Sequence, residues 1–259
     1  MSVIYEPKGK AREYSPQALN LYLQCSHRCT YCYAPSALQK ARDYYFNSSS
    51  PRKGVIESLK KEVTKAKKEQ ILLSFIGDVY SETSDNNQTT RQALEVLLEA
   101  KLPVAILTKG GLNCLKDIDL FKQFGEHIQI GATLTFSKDK DSIEYESGAV
   151  LPAERIEMIK QLKENGIKTF ASFEPVIIPA QSLELMRLGL KYIDVYKVGK
   201  INNFQGIDKT IDWTKFLKNT VDLLRENEKP FYIKYDLRTA APSVKLFGNE
   251  VLPDEHCVR

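Results

Sequence analysis

Between residues 19 and 235, short β-rich apolar runs alternate with longer stretches of helical periodicity, and this alternation restricts the chain more than any other feature. Parallel strands joined through helical crossovers are covered on both faces, so they read as near-continuous apolar runs. The runs are Leu19 to Leu23, 71-ILLSFIGD, Val104 to Thr108, Ile128 to Thr135, Thr169 to Phe173, Ile193 to Val198 and Phe231 to Tyr235. Between them, helical spacing predicts helices over Pro51 to Lys68, Thr89 to Ala100, Leu115 to Phe124, Ala153 to Asn165, Leu183 to Leu190 and Trp213 to Glu226. About six βα units follow, which predicts an α/β fold: a partial (β/α)6 TIM-like barrel, a parallel sheet with outer helices in a single domain. The expected layout is an N-terminal extension over 1–18, the barrel over 19–235 and a C-terminal tail closing the barrel over 236–259.

Composition agrees with one folded domain: 259 residues, 42% hydrophobic and 27% charged, exclude a disordered chain. The start MSVIYEPKGKAREYSP is polar and no apolar run approaches the roughly 20 residues that span a bilayer, so a cytoplasmic location without a membrane partner is expected. A net charge of +4 permits an anionic partner without requiring one.

In sheets of this kind, reactive groups gather at the carboxyl ends of the strands. The segment 24-QCSHRCTYCYAP lies in the long loop after the first strand and spaces Cys25, Cys29 and Cys32 as C-x-x-x-C-x-x-C. A closed zinc site or a ferredoxin-type cluster needs four protein ligands. Cys114 and Cys257 are remote in sequence, so three thiolates point to a [4Fe–4S] cluster with one iron left open. The alternative is a zinc site with His27 as fourth ligand. Gly77 and Asp78, Thr108 and Lys109, Thr133 to Thr135, Glu174, and Lys197 to Asn202 fall on the same rim.

The cysteine spacing, with Tyr31 before the third cysteine, resembles the signature of the radical S-adenosylmethionine (SAM) superfamily. Together with 105-AILTKGGL, 117-DIDL and 146-ESGAVLPAERIEMIKQLKENGIK, it is similar to the spore photoproduct lyase-like branch, also called DNA repair photolyase-like, from about Asn20 to about Pro179. The resemblance implies that Cys25, Cys29 and Cys32 bind the cluster and that Tyr31 packs beside the adenine of SAM. It implies further that Gly77 and Asp78 lie near the methionine amino group, with Thr108, Lys109, Thr133 and Thr135 completing the pocket. Glu146 is expected at the ribose hydroxyls and Arg155 at the SAM carboxylate. Read without the resemblance, Arg155 is a solvated helix charge and Glu146 a loop charge. Ser172 is grouped with the cofactor pocket, and with Glu174, Lys197, Lys200 and Asn202 it marks where substrate contacts are sought.

The sequence departs from the branch at one position. Spore photoproduct lyase carries a cysteine at the end of the second strand, whereas 71-ILLSFIGDVYSE has none. Cys114 is the candidate substitute as a catalytic hydrogen donor, the alternative being buried packing. The implied activity is reductive cleavage of SAM to a 5′-deoxyadenosyl radical, which takes hydrogen from a substrate. A nucleobase or modified nucleotide, free or in DNA, is the first substrate expectation, with lyase, isomerase or base-modifying outcome; a peptide or small metabolite is the second. A one-electron reductant of flavodoxin or ferredoxin type is the expected protein partner. The rival class is a non-catalytic zinc- or cluster-binding module that contacts nucleic acid.

Overall fold

The computed structural model describes residues 2–83, 85–202 and 204–259. Its strands form one eight-stranded sheet in sequential order. Strand β1 (Ile4–Tyr5) pairs antiparallel with β2 (Gln17–Leu19). From β2 onward all neighbours are parallel: β3 (Ile71–Leu73), β4 (Val104–Thr108), β5 (Ile128–Thr133), β6 (Lys168–Phe173), β7 (Val195–Val198) and β8 (Phe231–Ile233). Strands β1 and β8 are not paired with one another, so the barrel is open, as the partial-barrel expectation requires.

The two faces of the sheet differ in composition, and the difference creates a polar interior. Ile71, Leu73, Val104, Ile106, Ile130, Phe173 and Val198 join the main hydrophobic core, which the outer helices cover. The opposite face carries Leu72, Ala105 and Leu107, which pack around Tyr14, and then Gln129, Phe170, Ser172, Lys197 and Tyr232 in register on the later strands. Gly131 is needed there, since a Cβ at this position would stand 2.3 Å from the Phe170 carbonyl oxygen and 2.8 Å from its ring.

The helices are α1 (Ala34–Ala37), α2 (Arg42–Phe46), α3 (Val55–Glu62), α4 (Gln88–Glu99), α5 (Ile118–Phe124), α6 (Asp139–Tyr145), α7 (Pro152–Glu164), α8 (Pro179–Leu188), α9 (Trp213–Glu226) and α10 (Tyr235–Ala240). Helix α8 begins four residues before the expected Leu183 because Pro179 occupies its first position, where a missing N–H costs nothing. The segment expected as one helix over Leu115 to Phe124 is instead a 3₁₀ stretch, Gly111–Asp117, followed by α5. The first parallel strand ends at Leu19 rather than running to Leu23. Its polar start was hidden from an apolar criterion: buried Gln17 donates to the carbonyls of Lys67 and Glu69 at 2.9 and 3.0 Å. No helix among the described residues is long and apolar enough to cross a membrane.

The amino-terminal ends of the strands are covered by the last residues of the chain. Gln129 donates to the carbonyl of His256 at 3.0 Å, and the Val258 N–H donates to Gln70 Oε1 at 3.0 Å. The opposite, carboxyl ends form the mouth.

Candidate active site

The long loop after β2 brings the three cysteines to the mouth. Cys29 is buried, and Cys25 and Cys32 are half-buried against Ala34, Tyr45, Phe46, Leu38 and Ile76. Arg42 holds the loop by its backbone: its guanidinium donates to the carbonyls of Cys29, Thr30 and Cys32 at 2.8, 3.0 and 3.1 Å. No short motif marked Arg42, because its partners are carbonyl groups that every residue carries. Opposite, Cys29 bridges to Glu146, and the Thr30 N–H donates to the Tyr145 carbonyl at 2.8 Å.

His27 does not serve as a zinc ligand. Its Nε2 lies 2.8 Å from Asp78 Oδ2 and its Nδ1 3.2 Å from the Gly148 carbonyl, so both ring nitrogens are engaged. Among the described residues, no three His, Cys, Asp or Glu side chains gather closely enough for a single ion. The donor set is three soft sulfurs with apolar walls and no fourth thiol, which suits a [4Fe–4S] cluster with one open iron. Burial raises the Cys29 thiol to about 12, and Lys109 works against that rise. Loading iron must therefore expel protons from desolvated thiols.

Asp78 clamps the loop. Its oxygens accept from the Thr108 hydroxyl at 2.7 Å, the Lys109 N–H at 2.7 Å and the Tyr80 N–H at 2.9 Å, besides His27. Burial alone would raise this carboxyl, but His27 and the N–H donors hold it down at about 2. With both oxygens committed, Asp78 supports the site from behind. Gly77 adopts φ +79° directly beneath the cysteine loop, and a Cβ there would stand 2.7 Å from the Gln24 carbonyl oxygen.

Glu146 and Arg155 are each 1% exposed, which rules out solvated charges. Arg155 Nη2 lies 2.7 Å from Glu146 Oε2, yet neither atom has an aligned hydrogen bond. The contact is an ion pair with hydrogen-bonding capacity left over on both sides. Arg155 also donates to the carbonyls of Val150 and Thr133 at 2.9 and 3.1 Å. The Tyr31 hydroxyl contacts Glu146 and lies 3.4 Å from the Thr135 hydroxyl, while Lys109 Nζ stands 5.7 Å from the Tyr31 ring centre. Burial opposes ionisation of Glu146, but Arg155 and Lys109 keep its pKa below the ordinary glutamate range.

The structure thus gathers Cys25, Cys29, Cys32, Tyr31, Gly77, Asp78, Thr108, Lys109, Thr133, Thr135, Glu146 and Arg155 on the side of the mouth formed by β2 to β5. It places Ser172 differently: its hydroxyl lies 2.6 Å from the Tyr14 hydroxyl inside the barrel. Cys114 does not join either group. It is 0% exposed in the main hydrophobic core, where burial pushes its thiol far up, so packing rather than hydrogen donation describes it.

A family model for the radical SAM superfamily matches residues 19–188, well over half of the chain. The chain belongs to the radical SAM superfamily. Its cofactors are accordingly a [4Fe–4S] cluster and SAM, and the three-thiol loop fits the first of these. An uncharacterized protein of Methanocaldococcus jannaschii is 31% identical over 160 residues, covering 61% of this chain and 60% of that protein. The fold of this radical SAM chain is shared with spore photoproduct lyase, at TM-score 0.67 and 10% identity over 89% of this chain and 79% of that one. It is shared also with SuiB of Streptococcus suis bound to SAM, at TM-score 0.65 and 17% identity over 89% and 53%. The chain spans about 60% of the M. jannaschii relative and 53% of SuiB.

Proposed function

We propose that this radical SAM protein removes a hydrogen atom from an unactivated carbon of a nucleobase or modified nucleotide, free or within DNA, with a lyase, isomerase or base-modifying outcome. The observation that carries the SAM-dependent part of the reading is the three-thiol loop at the mouth, with the buried Glu146–Arg155 ion pair beside Cys29. We assign Arg155 to the SAM carboxylate and Glu146 to the ribose hydroxyls, which requires the ion pair between them to open to the ligand.

When bound, the cluster supplies the electron that cleaves SAM to methionine and a 5′-deoxyadenosyl radical. The chain's own residues do the rest. Tyr31 covers the adenine, Arg42 and Asp78 hold the cysteine loop rigid, and the barrel wall excludes water. Beyond Cys25, Cys29 and Cys32, no described cysteine stands at the mouth, since Cys114 is in the core and Cys257 lies in the floor near the Tyr14 carbonyl. This favours a rearrangement that needs no thiol to return hydrogen. The spore photoproduct lyase fold and the half-buried or exposed aromatic side chains Tyr31, Tyr33 and Phe75 near the mouth support a base-bearing substrate.

The test is anaerobic reconstitution with iron and sulfide, chemical reduction, and assay of 5′-deoxyadenosine from SAM for the wild type and Cys29→Ala. Formation by the wild type alone, with a cluster spectrum that shifts on adding SAM, supports the reading. A wild type that binds one zinc and ignores SAM overturns it.

A further inference from the structure

A second charged group stands across the mouth from the cysteine loop, and the cofactor chemistry uses none of it. Glu174 follows β6, Gly199 follows β7 and Lys234 follows β8. Tyr14 enters from the segment before β2. The Tyr14 hydroxyl donates to Glu174 Oε2 at 2.8 Å, and Lys234 Nζ donates to the same oxygen at 2.6 Å. Lys234 Nζ also sits 4.4 Å from the Tyr14 ring centre. Among the described residues no donor reaches Glu174 Oε1, although the side chain remains 21% exposed at the mouth. Gly199 makes room for this carboxyl: a Cβ there would stand 2.8 Å from Oε1 and 3.0 Å from Lys234 Cδ.

From this geometry we propose that Glu174 anchors the substrate, its Oε1 accepting a hydrogen bond from an N–H of a neutral planar ring, with Tyr14 and Lys234 as positioning residues. The proposal deepens the nucleobase reading above and rests on it. Three observations select this ligand chemistry.

The open atom, Glu174 Oε1, is an acceptor. Burial and the neighbouring Glu174 hold the Tyr14 phenol protonated, so its single proton is spent on Oε2, and the bond that Lys234 makes to Glu174 also goes to Oε2, which leaves Oε1 open. A carboxylate oxygen held in this way is a strong acceptor for an incoming donor.

The surroundings disfavour an anion. Lys234 Nζ stands between Glu174 and Glu13, the latter at 3.8 Å from its Oε2. Glu13 Oε1 is already engaged by the Tyr232 hydroxyl and the Tyr235 N–H, both at 2.7 Å. Lys234 is thus shared by two carboxylates, and Lys197, the other ammonium of the group, lies under the Tyr14 ring and donates to the Tyr14 carbonyl, so neither cation is free to bind a phosphate or carboxylate at this spot. A phosphate of the substrate is therefore directed away from the anchor.

The adjoining surface is aromatic. Phe75 packs edge-on against Tyr14 at 6.2 Å between ring centres, and the Tyr33 hydroxyl donates to the Phe75 carbonyl at 3.1 Å. Tyr33 is 59% exposed and adjoins Cys32, so it lies between the anchor and the cluster loop. A flat ring held by Glu174 has a π-face to rest on along the way to the cofactor.

The test uses the reconstituted holoenzyme with SAM and equilibrium dialysis of four probes: thymidine, deoxyguanosine, deoxyadenosine and deoxycytidine. Each is paired with the analogue methylated at its ring N–H or fully at its exocyclic amine. At least one parent should bind about tenfold or more tightly than its methylated partner, as expected for a hydrogen bond to a charged acceptor. Glu174→Ala should erase that ratio, and Glu174→Gln, which keeps the shape and preserves folding if the alanine variant does not, should reduce it several-fold. Nucleosides that bind equally well with and without methylation sink the anchor and leave the nucleobase reading standing. A ratio that survives in both Glu174 variants places the anchor elsewhere. If none of the four binds, the free-nucleoside form of the nucleobase reading falls and takes the anchor with it.

Discussion

On the β2 to β5 side of the mouth, Glu146 and Arg155 face each other with hydrogen-bonding capacity unspent; on the β6 to β8 side, Tyr14, Ser172, Lys234 and Glu174 satisfy one another almost completely. Both sides are buried and both mix charges. The first is the side proposed to receive a cosubstrate that brings its own carboxylate and hydroxyls. The second is self-contained and offers a single oxygen. Burying a charge pair is costly, which makes a buried pair beside the cluster loop a candidate functional site. The same residue types, differently completed, distinguish the proposed cofactor pocket from the proposed substrate wall.

The comparison breaks most visibly at Arg155. Arg155→Met strands the Glu146 carboxylate and removes the proposed partner of the SAM carboxylate, so 5′-deoxyadenosine formation should fall at least about a hundredfold, and stability by about 3–5 kcal/mol. Denaturant midpoints and product assays measure both, and retention of cleavage within threefold would show that Arg155 is only structural.

A second variant sharpens the contrast from the other side. Lys197 lies under Tyr14, 1% exposed, donating only to the Tyr14 carbonyl at 3.1 Å, and burial lowers its pKa from 10.5 to about 8. The unfolded chain holds that proton more tightly, so the residue destabilises the fold below pH 8 and the penalty fades as pH rises toward 10.5. Lys197→Met should therefore stabilise by up to roughly 3 kcal/mol at pH 7, with the gain shrinking across that window in melts taken at several pH values. A loss of stability at pH 7 would mean the ammonium has partners beyond the carbonyl.

Asp78 carries the opposite sign. Its folded pKa of about 2 lies below the ordinary 3.8, so its contribution is complete above about pH 4 and is lost as pH falls through 2. The wild type should lose about 2 kcal/mol over that range, and Asp78→Asn should lack this acid limb. Equal acid sensitivity in the two proteins would contradict the clamp. The smallest effect is expected for Cys114→Ala: about 1 kcal/mol of stability from a lost buried sulfur, with turnover unchanged. Loss of product at intact SAM cleavage would restore the thiol as a hydrogen donor.

The barrel and the three cysteines were legible because both signals are local: apolar runs of strand length, and ligands within eight residues. Glu146 and Arg155 were reachable through family resemblance alone, since periodicity made one a loop charge and the other a surface helix charge. What escaped depends on distant pairing. Tyr14 meets Ser172 across 158 positions, and His27 meets Asp78 across 51. Ser172 was grouped with the cofactor pocket from its strand alone, and the Tyr14 hydroxyl that faces it across the barrel could not be read locally. Strand β1 was missed because two residues leave no periodicity to detect.

The floor of the barrel sets an order of events during synthesis. Val258 docks on Gln70 across 188 positions and His256 on Gln129 across 127, so the floor is sealed only after every strand has emerged and curved into place. The cysteine loop, made early, waits beside an unsealed barrel until then. Contacts of such long sequence separation are slow to form, so closure of the floor is expected late in folding.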